Sequence, residues 1–405
     1  MKILVLNAGS SSCKYKLFDM DDQRVLCQGL VERIGDPNSG CLTHKIAPDT
    51  DKEEKIVREE LYPDHAKALD RVMALITDAE KGVIHDYHEI AAIGHRVLHG
   101  GLHLTAPTIV NSETKQTIKK AFPLGPLHNP ANLTGIEVAE KLFPGVPNVA
   151  LFDTAFGMQM PKESYTYALP PKLCEELQIR RYGFHGTSHI YLVNRAAAFL
   201  KKDLATLNCI TLHLGNGSSL GCVQNGRCID TSMGLTPLEG LVMGTRCGSI
   251  DPAIVPYIMA QKGMSTEEVD TLMNKQSGLL GLCGQTDLRD IHRLADQEHN
   301  EDAILARKLL IRSIRKVLGS FFFMLDGKVD ALVFSAGIGE NDSYVRKCVV
   351  QNLENLGIEL DESANSKRSS DEREISKPTS KVKILVLPTN EELQIALTAQ
   401  ELITK

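Results

Sequence analysis

An α/β fold made of two similar half-structures is the expectation for this chain, and three observations carry it. Apolar strand-like runs alternate with stretches of helical periodicity along the whole sequence. A unit of strand, Asn/Gly/Ser loop and strand occurs twice, as ILVLNAGSSS followed by CKYKLFD and as ITLHLGNGSSL followed by GCVQNGRCIDTS. With 405 residues, 42% of them hydrophobic, the chain is long and apolar enough to bury two cores.

The strand candidates in chain order are ILVLN, CKYKLFD, EIAAIGHRVL, VPNVALFD, CITLHLG, ALVFSAG and KILVLPT. Between them, ANLTGIEVAEKLF and the stretch from Glu301 to Leu325 repeat their apolar residues at helical spacing. Residues 363 to 381 are charged, serine-rich and poor in large apolar groups, which predicts a surface excursion. The duplicated loop unit predicts two half-structures, each presenting one polar loop, with the loops facing each other across a cleft. A second echo, KILVL at Lys2–Leu6 and again at Lys383–Leu387, fits a C-terminal strand returning to the N-terminal domain.

Charge and composition exclude several classes. The 45 basic and 51 acidic residues leave a formal charge of -6, with no basic stripe to follow a nucleic-acid backbone. No run approaches 18 apolar residues and no cleavage pattern follows MKILVLNAG, so a cytoplasmic protein is expected. The ten cysteines are scattered without a CxxC pair, which predicts free thiols; Cys222 and Cys228 face each other loosely across the Asn225-Gly226 turn.

Phosphate binding is the main question raised by NAGSSS, because glycines and hydroxyls between two strands suit either an exposed hairpin turn or a cradle for an anion. There is no GxxxxGK[ST], and GNGSSLG has the wrong glycine spacing for a dinucleotide loop and continues as a hairpin. His95, His99 and His103 recur at four-residue steps, but Gly100 and Gly101 argue against a helix that would gather them on zinc. His185 and His189 in HGTSH have no third ligand by spacing; a helix beginning near Thr187 or Ser188 would make them structural or substrate-facing.

NAGSSSCKYKLF, GHRVLHGG, PLHNPAN, FDTAF, RRYGFHGTSH, HLGNGSS, DTSMGLTPLEGLVMGTR, SGLLGL, AGIGEN and PTNEE occur in that order across nearly the whole chain. The ordered set resembles the acetate kinases of the acetate and propionate kinase family, within the actin, sugar kinase and Hsp70-like superfamily. The resemblance implies two ribonuclease H-like domains around a nucleotide cleft: residues 1–153 with a returning segment 386–405, and residues 154–385 carrying an adenosine-side loop. It also implies a homodimer, Mg²⁺ (with Mn²⁺ as a substitute), and transfer of a phosphoryl group between ATP and acetate, giving ADP and acetyl phosphate.

Carried onto this chain, the family pattern places Asn7, Ser10, Ser12 and Lys14 near the phosphoryl group, with Asn7 and Glu391 tied to the metal. His213, Leu214, Gly215, Asn216 and Gly217 form the second phosphate loop. Asp287, Leu288 and Arg289 lie near the nucleotide, and Gly337, Ile338, Gly339, Glu340 and Asn341 on the adenosine side. Arg96 and Arg246 contact the carboxylate and the phosphoryl in flight, His185 stabilises the transition state, and Asp153 is an essential carboxylate. Leu98, Leu127 and Pro237 wall the acceptor's methyl pocket, with His128 beside them. Leu98 stands where acetate kinases usually have Val and propionate kinases often have Ala. The chain departs from the pattern at Gly157, usually His, and at Ser249, usually Asp.

This chemistry suits the residue types. A carboxylate is already ionised at neutral pH and needs no strong general base, so the task is to bring one anion to another. Planar, permanently charged guanidinium groups answer it. The alternatives are a kinase for propionate, butyrate or a sugar, and an ATPase or chaperone-like switch without an acceptor; the set Arg96, His185 and Arg246 disfavours the last.

Overall fold

The computed structural model describes residues 1–405. The chain divides into two compact units, Met1–Met158 with Asn390–Lys405, and Gln159–Thr389. The first unit holds an eight-stranded sheet: β1 (Lys2–Ala8), β2 (Ser12–Asp19), β3 (Arg24–Glu32), β4 (Cys41–Ile46), β5 (Glu54–Glu59), β6 (Ile90–Val97), β7 (Thr108–Ile109) and β8 (Asn148–Phe152), in the order β5-β4-β3-β2-β1-β6-β8-β7. The second holds six: β9 (Cys209–Leu214), β10 (Ser218–Gln224), β11 (Arg227–Thr231), β12 (Ala331–Ser335), β13 (Arg373–Glu374) and β14 (Lys383–Val386), in the order β11-β10-β9-β12-β14-β13.

The loop echo corresponds to a shared topology. β3-β2-β1-β6-β8 and β11-β10-β9-β12-β14 have the same order and the same directions: an antiparallel meander, then two strands parallel to its first. The parallel strands are continuous apolar runs buried on both faces, as crossover helices require. In the first unit Leu69, Val72 and Ile76 of the helix His65–Ile76 pack on Leu4, Leu6 and Leu17. On the opposite face, Ile395, Ala396 and Ala399 of the helix Glu391–Thr404 pack on Ile3, Val5 and Ala92.

In the second unit the helix Glu301–Met324 lays Leu310, Ile314, Leu318 and Phe321 against Ile210, Leu212 and Leu332. Its start is set by Asn300, whose side chain accepts from the Ala303 N–H, and by Glu301 and Asp302 in the first turn.

Several local expectations change. β14 pairs in parallel with β12, inside the second unit. The KILVL echo is therefore a coincidence of two buried strands, and what returns to the first unit is the helix that follows. Residues 363–381 are not merely an excursion: β13 is the edge strand beside β14, and Ile375 is fully buried. AGIGEN is a short helix, Ala336–Asn341, entered through Ala336 at φ 63°, instead of a loop. Cys222 stands opposite Asp230 and Cys228 opposite Val223, because a register shift separates them, and both thiols are free.

Asn132 connects three elements of the first unit. From the helix Asn129–Leu142 its amide donates to the Ala8 carbonyl at the end of β1 (2.7 Å) and accepts from the Leu98 N–H just beyond β6 (3.0 Å). Replacing Asn132 by Ala strands two backbone groups, each costing about 1–3 kcal/mol. Urea unfolding of Asn132→Ala should show a loss of about 2–6 kcal/mol for the two groups together; an unchanged midpoint would overturn the bracing role.

Candidate active site

NAGSSS is a tight hairpin. Asn7 faces Lys14 across the β1–β2 ladder, the Gly9 N–H donates to the Ser12 carbonyl (2.8 Å), and the His65 ring bonds the Gly9 carbonyl through Nε2 (2.8 Å). Ser10 and Lys14 are left exposed and Ser12 partly so.

On the same sheet, Arg96 grips Asp153 with two nitrogens: Nε lies 3.1 and 3.2 Å from the carboxylate oxygens and Nη2 2.6 Å from one of them. The attraction of Asp153 outweighs burial and holds the guanidinium above its ordinary pKa. Glu391, at the first turn of the helix Glu391–Thr404, is 3.9 Å from Arg96. Burial pushes its carboxyl up to about 7 against the pull of Arg96, and Asp153 adds to the rise.

Leu98 follows β6, and its Cδ2 would lie 3.3 Å from a Cβ on Gly125, so the side chain reaches toward the segment that carries Leu127 and His128. Leu127 is 66% exposed, and His128 is the N-cap of the helix Asn129–Leu142. Pro237 belongs to the second unit, where its carbonyl accepts from Arg246 Nη1 at 3.3 Å. His95 is a buried structural residue on a strand, bonded to Asn148 at 2.7 Å, so the His95, His99 and His103 series shares no helix face.

In the second unit, HLGNGSS is the turn between β9 and β10, with Gly215 N–H held by Ser218 Oγ (3.1 Å). A Cβ built on Gly217 would lie 3.4 Å from both Arg246 Nη1 and His185 Nε2, so the bare glycine, the guanidinium and the imidazole converge on one point. Arg246 is half-buried, its other near partner is Met243 Sδ at 3.7 Å, and burial alone lowers its pKa, with no carboxylate opposing. His185 is itself the N-cap of the helix Gly186–Phe199, in a left-handed conformation; Thr187 and Ser188 lie inside that helix. His185 stacks on His213 with ring centres 4.3 Å apart.

Beside this point a hollow of about 460 Å³ is lined by Gly215, Asn216, Asp287, Leu288, Arg289, Gly337, Ile338 and Asn341. Three segments far apart in sequence thus meet in one pocket. Leu288 is mostly core, while Arg289 is exposed and paired to Asp287. Gly339 and Glu340 sit beneath: the Glu340 carboxylate accepts from the Ala336 N–H at 2.8 Å, and Arg346 donates to both their carbonyls at 2.9 Å. Gly244 also lines the pocket, and a Cβ there would fall 1.7 Å from Asn216 Oδ1.

Sequence reasoning gave no role to Gly244, Arg346 or Ser219, although Gly244 and Ser219 lie within quoted motifs and Arg346 near one; Ser219 closes HLGNGSS, but its partners are histidines at a distant helix that the motif does not announce. At the two departures from the family pattern, Ser249 exchanges bonds with Gly240 (3.0 Å each way) and closes the loop bearing Arg246, and Gly157 is buried in a short turn.

The profile of the Acetokinase family matches residues 2–397. An acetate kinase of Desulfovibrio desulfuricans is 64% identical over 405 residues, covering all of both chains. Among solved structures, an acetate kinase from Porphyromonas gingivalis superposes with a TM-score of 0.94 at 42% identity, covering 99% of each chain. A propionate kinase from Francisella tularensis does so with a TM-score of 0.89 at 40% identity, again over 99% of each.

The raised Glu391 carboxyl has a consequence for stability. The folded state holds this proton more tightly than the unfolded chain, so Glu391 costs nothing below the ordinary Glu range, and its penalty grows as pH rises through about 7. Metal-free Glu391→Gln should therefore gain Tm over wild type by more at pH 8 than at pH 5.5. A pH-independent difference would contradict this.

Proposed function

This chain belongs to the acetokinase family, and from that premise we propose how its own residues share the transfer of a phosphoryl group between ATP and acetate. ATP occupies the hollow of the second unit, with its phosphates toward Gly215–Gly217 and its adenosine toward the helix Ala336–Asn341. Arg246 carries the reading: a half-buried cation with no carboxylate opposing it, beside a bare glycine and an imidazole, is built to receive an anion. It bears the charge of the moving phosphoryl, and His185 donates to one of its oxygens.

In the first unit Arg96 holds the acceptor carboxylate. Asp153 fixes the guanidinium's plane with a two-pronged contact, and so sets the direction from which acetate approaches. Acetate arrives ionised, so no side chain needs to take a proton from it, and the transfer runs in line.

A Mg²⁺ ion fits the donors of the first unit. Glu391 and Asn7 offer hard oxygens, and the partly buried Glu391 carboxyl is one that a cation would return to its charged form. When bound, the ion neutralises phosphate oxygens. No helix is long and apolar enough to cross a membrane. The resemblance adds a homodimer to the proposal.

Arg96→Ala and Arg246→Ala should each lower kcat by at least about a hundredfold with the fold intact, and Arg246→Lys should recover little because it lacks the planar fork. Near-normal turnover of either alanine variant would remove that residue from the reaction.

Acetate is the acceptor the chain should prefer. Leu98 adds volume toward the Leu127 segment, leaving less room for a further methylene, a discrimination of about 1–3 kcal/mol. The order of kcat/KM should be acetate, propionate, butyrate, and Leu98→Ala should narrow the acetate-to-propionate ratio chiefly by improving propionate. An unchanged ratio would place the limit elsewhere.

A further inference from the structure

The second unit contains a chain of four polar side chains ending at His185. Thr211 Oγ1 on β9 lies 2.7 Å from His189 Nδ1, His189 Nε2 lies 2.8 Å from Ser219 Oγ on β10, and Ser219 Oγ lies 2.9 Å from His185 Nδ1. Thr211, His189 and Ser219 are all fully buried.

Each hydroxyl and each neutral imidazole has one proton to give, and the fully buried Ser219 hydroxyl spends its own within the chain only if it donates to one histidine and accepts from the other, which makes the three bonds run in a common direction. If they ran from His185 to Thr211, the Thr211 proton would be left with only the Gly221 carbonyl at 3.4 Å, too far for a good hydrogen bond in a buried setting. Running from Thr211 to His185, the protons of Thr211, His189 and Ser219 are each used at 2.7 to 2.9 Å, and that of His185 is left on Nε2.

The second direction also suits the acceptor that His185 serves. His185 caps the positive end of the helix Gly186–Phe199 and shares a point of convergence with the Arg246 guanidinium, both of which favour a neutral ring. Phosphoryl oxygens only accept hydrogen bonds, so a neutral ring is useful there only with its proton on Nε2, the atom that meets Gly217.

We propose that Thr211, His189 and Ser219 are positioning residues that feed a hydrogen bond into His185 Nδ1 and so hold neutral His185 with its proton on Nε2, toward the phosphoryl group. The relay rests on the role given to His185 above.

The test uses the full-length enzyme with ¹⁵N-labelled histidine, the His185 signals being assigned by their loss in His185→Asn. In wild type at pH 7.5 the His185 ring should report a protonated Nε2 and a hydrogen-bonded, unprotonated Nδ1. Ser219→Ala should shift the Nδ1 signal, lower kcat about tenfold to a hundredfold, and leave KM for ATP and acetate within about threefold. Thr211→Val, which touches no part of His185, should move both readouts in the same direction by less.

A wild-type ring protonated on Nδ1, or Nδ1 signals indifferent to both substitutions, would overturn the relay. A shifted ring with unchanged kcat would instead overturn the role of His185 in the transfer and leave the hydrogen-bond chain standing.

Discussion

A guanidinium kept half-buried with no carboxylate to answer it is the constraint around which the second unit is organised. Arg246 meets the Pro237 carbonyl and the Met243 sulfur but no carboxylate, so the surrounding loop is held by means other than an ion pair. It is held by backbone: Met243 N–H donates to the Arg246 carbonyl, Cys247 N–H to Met273, Ser277 N–H to Thr245, Leu279 N–H to Met243, and Ser249 N–H to Gly240. These neutral bonds fix the position of a charge without neutralising it. Arg96 is the opposite case, a guanidinium whose charge is largely answered by Asp153 and whose value lies in direction. In the transfer proposed above, which brings two anions together, both kinds have a part.

The two sheets show how one topology is put to different uses. The β1–β2 and β9–β10 turns are equivalent in strand order, yet the first leaves Ser10 and Lys14 in solvent, while the second packs Gly217 beneath an arginine and a histidine. Side chains can be swapped at a hairpin turn without disturbing the ladder below it, so a duplicated frame can diverge at its tips while Leu4 and Leu212 remain core residues on the equivalent strands.

The strands and long helices were legible because their signal is local: ALVFS and NVALF are apolar on both faces, and Glu301–Met324 repeats at helical spacing. What escaped was pairing and backbone detail. KILV reads the same whichever sheet it joins, and its partners β12 and β13 decide the matter. The positive φ of Ala336 lets a helix begin directly at the end of a strand, which a residue without that preference does not announce. The arginines and His185 stood out through motif order, while Ser219 is defined by contacts with a residue 34 positions earlier and another 30 positions earlier.

The helix that begins at Glu391 has a further meaning for the growing chain. Asp153 and Arg96 leave the ribosome more than two hundred residues before Glu391 is added. Until then the face of the first sheet formed by Ile3, Val5 and Ala92 lacks Ile395, Ala396 and Ala399. The same segment that covers this apolar face brings the carboxylate to the arginine. Burial of a sticky surface and acquisition of a chemical group are therefore one event, and a nascent chain exposed enough to need a chaperone is, for the same reason, still chemically incomplete.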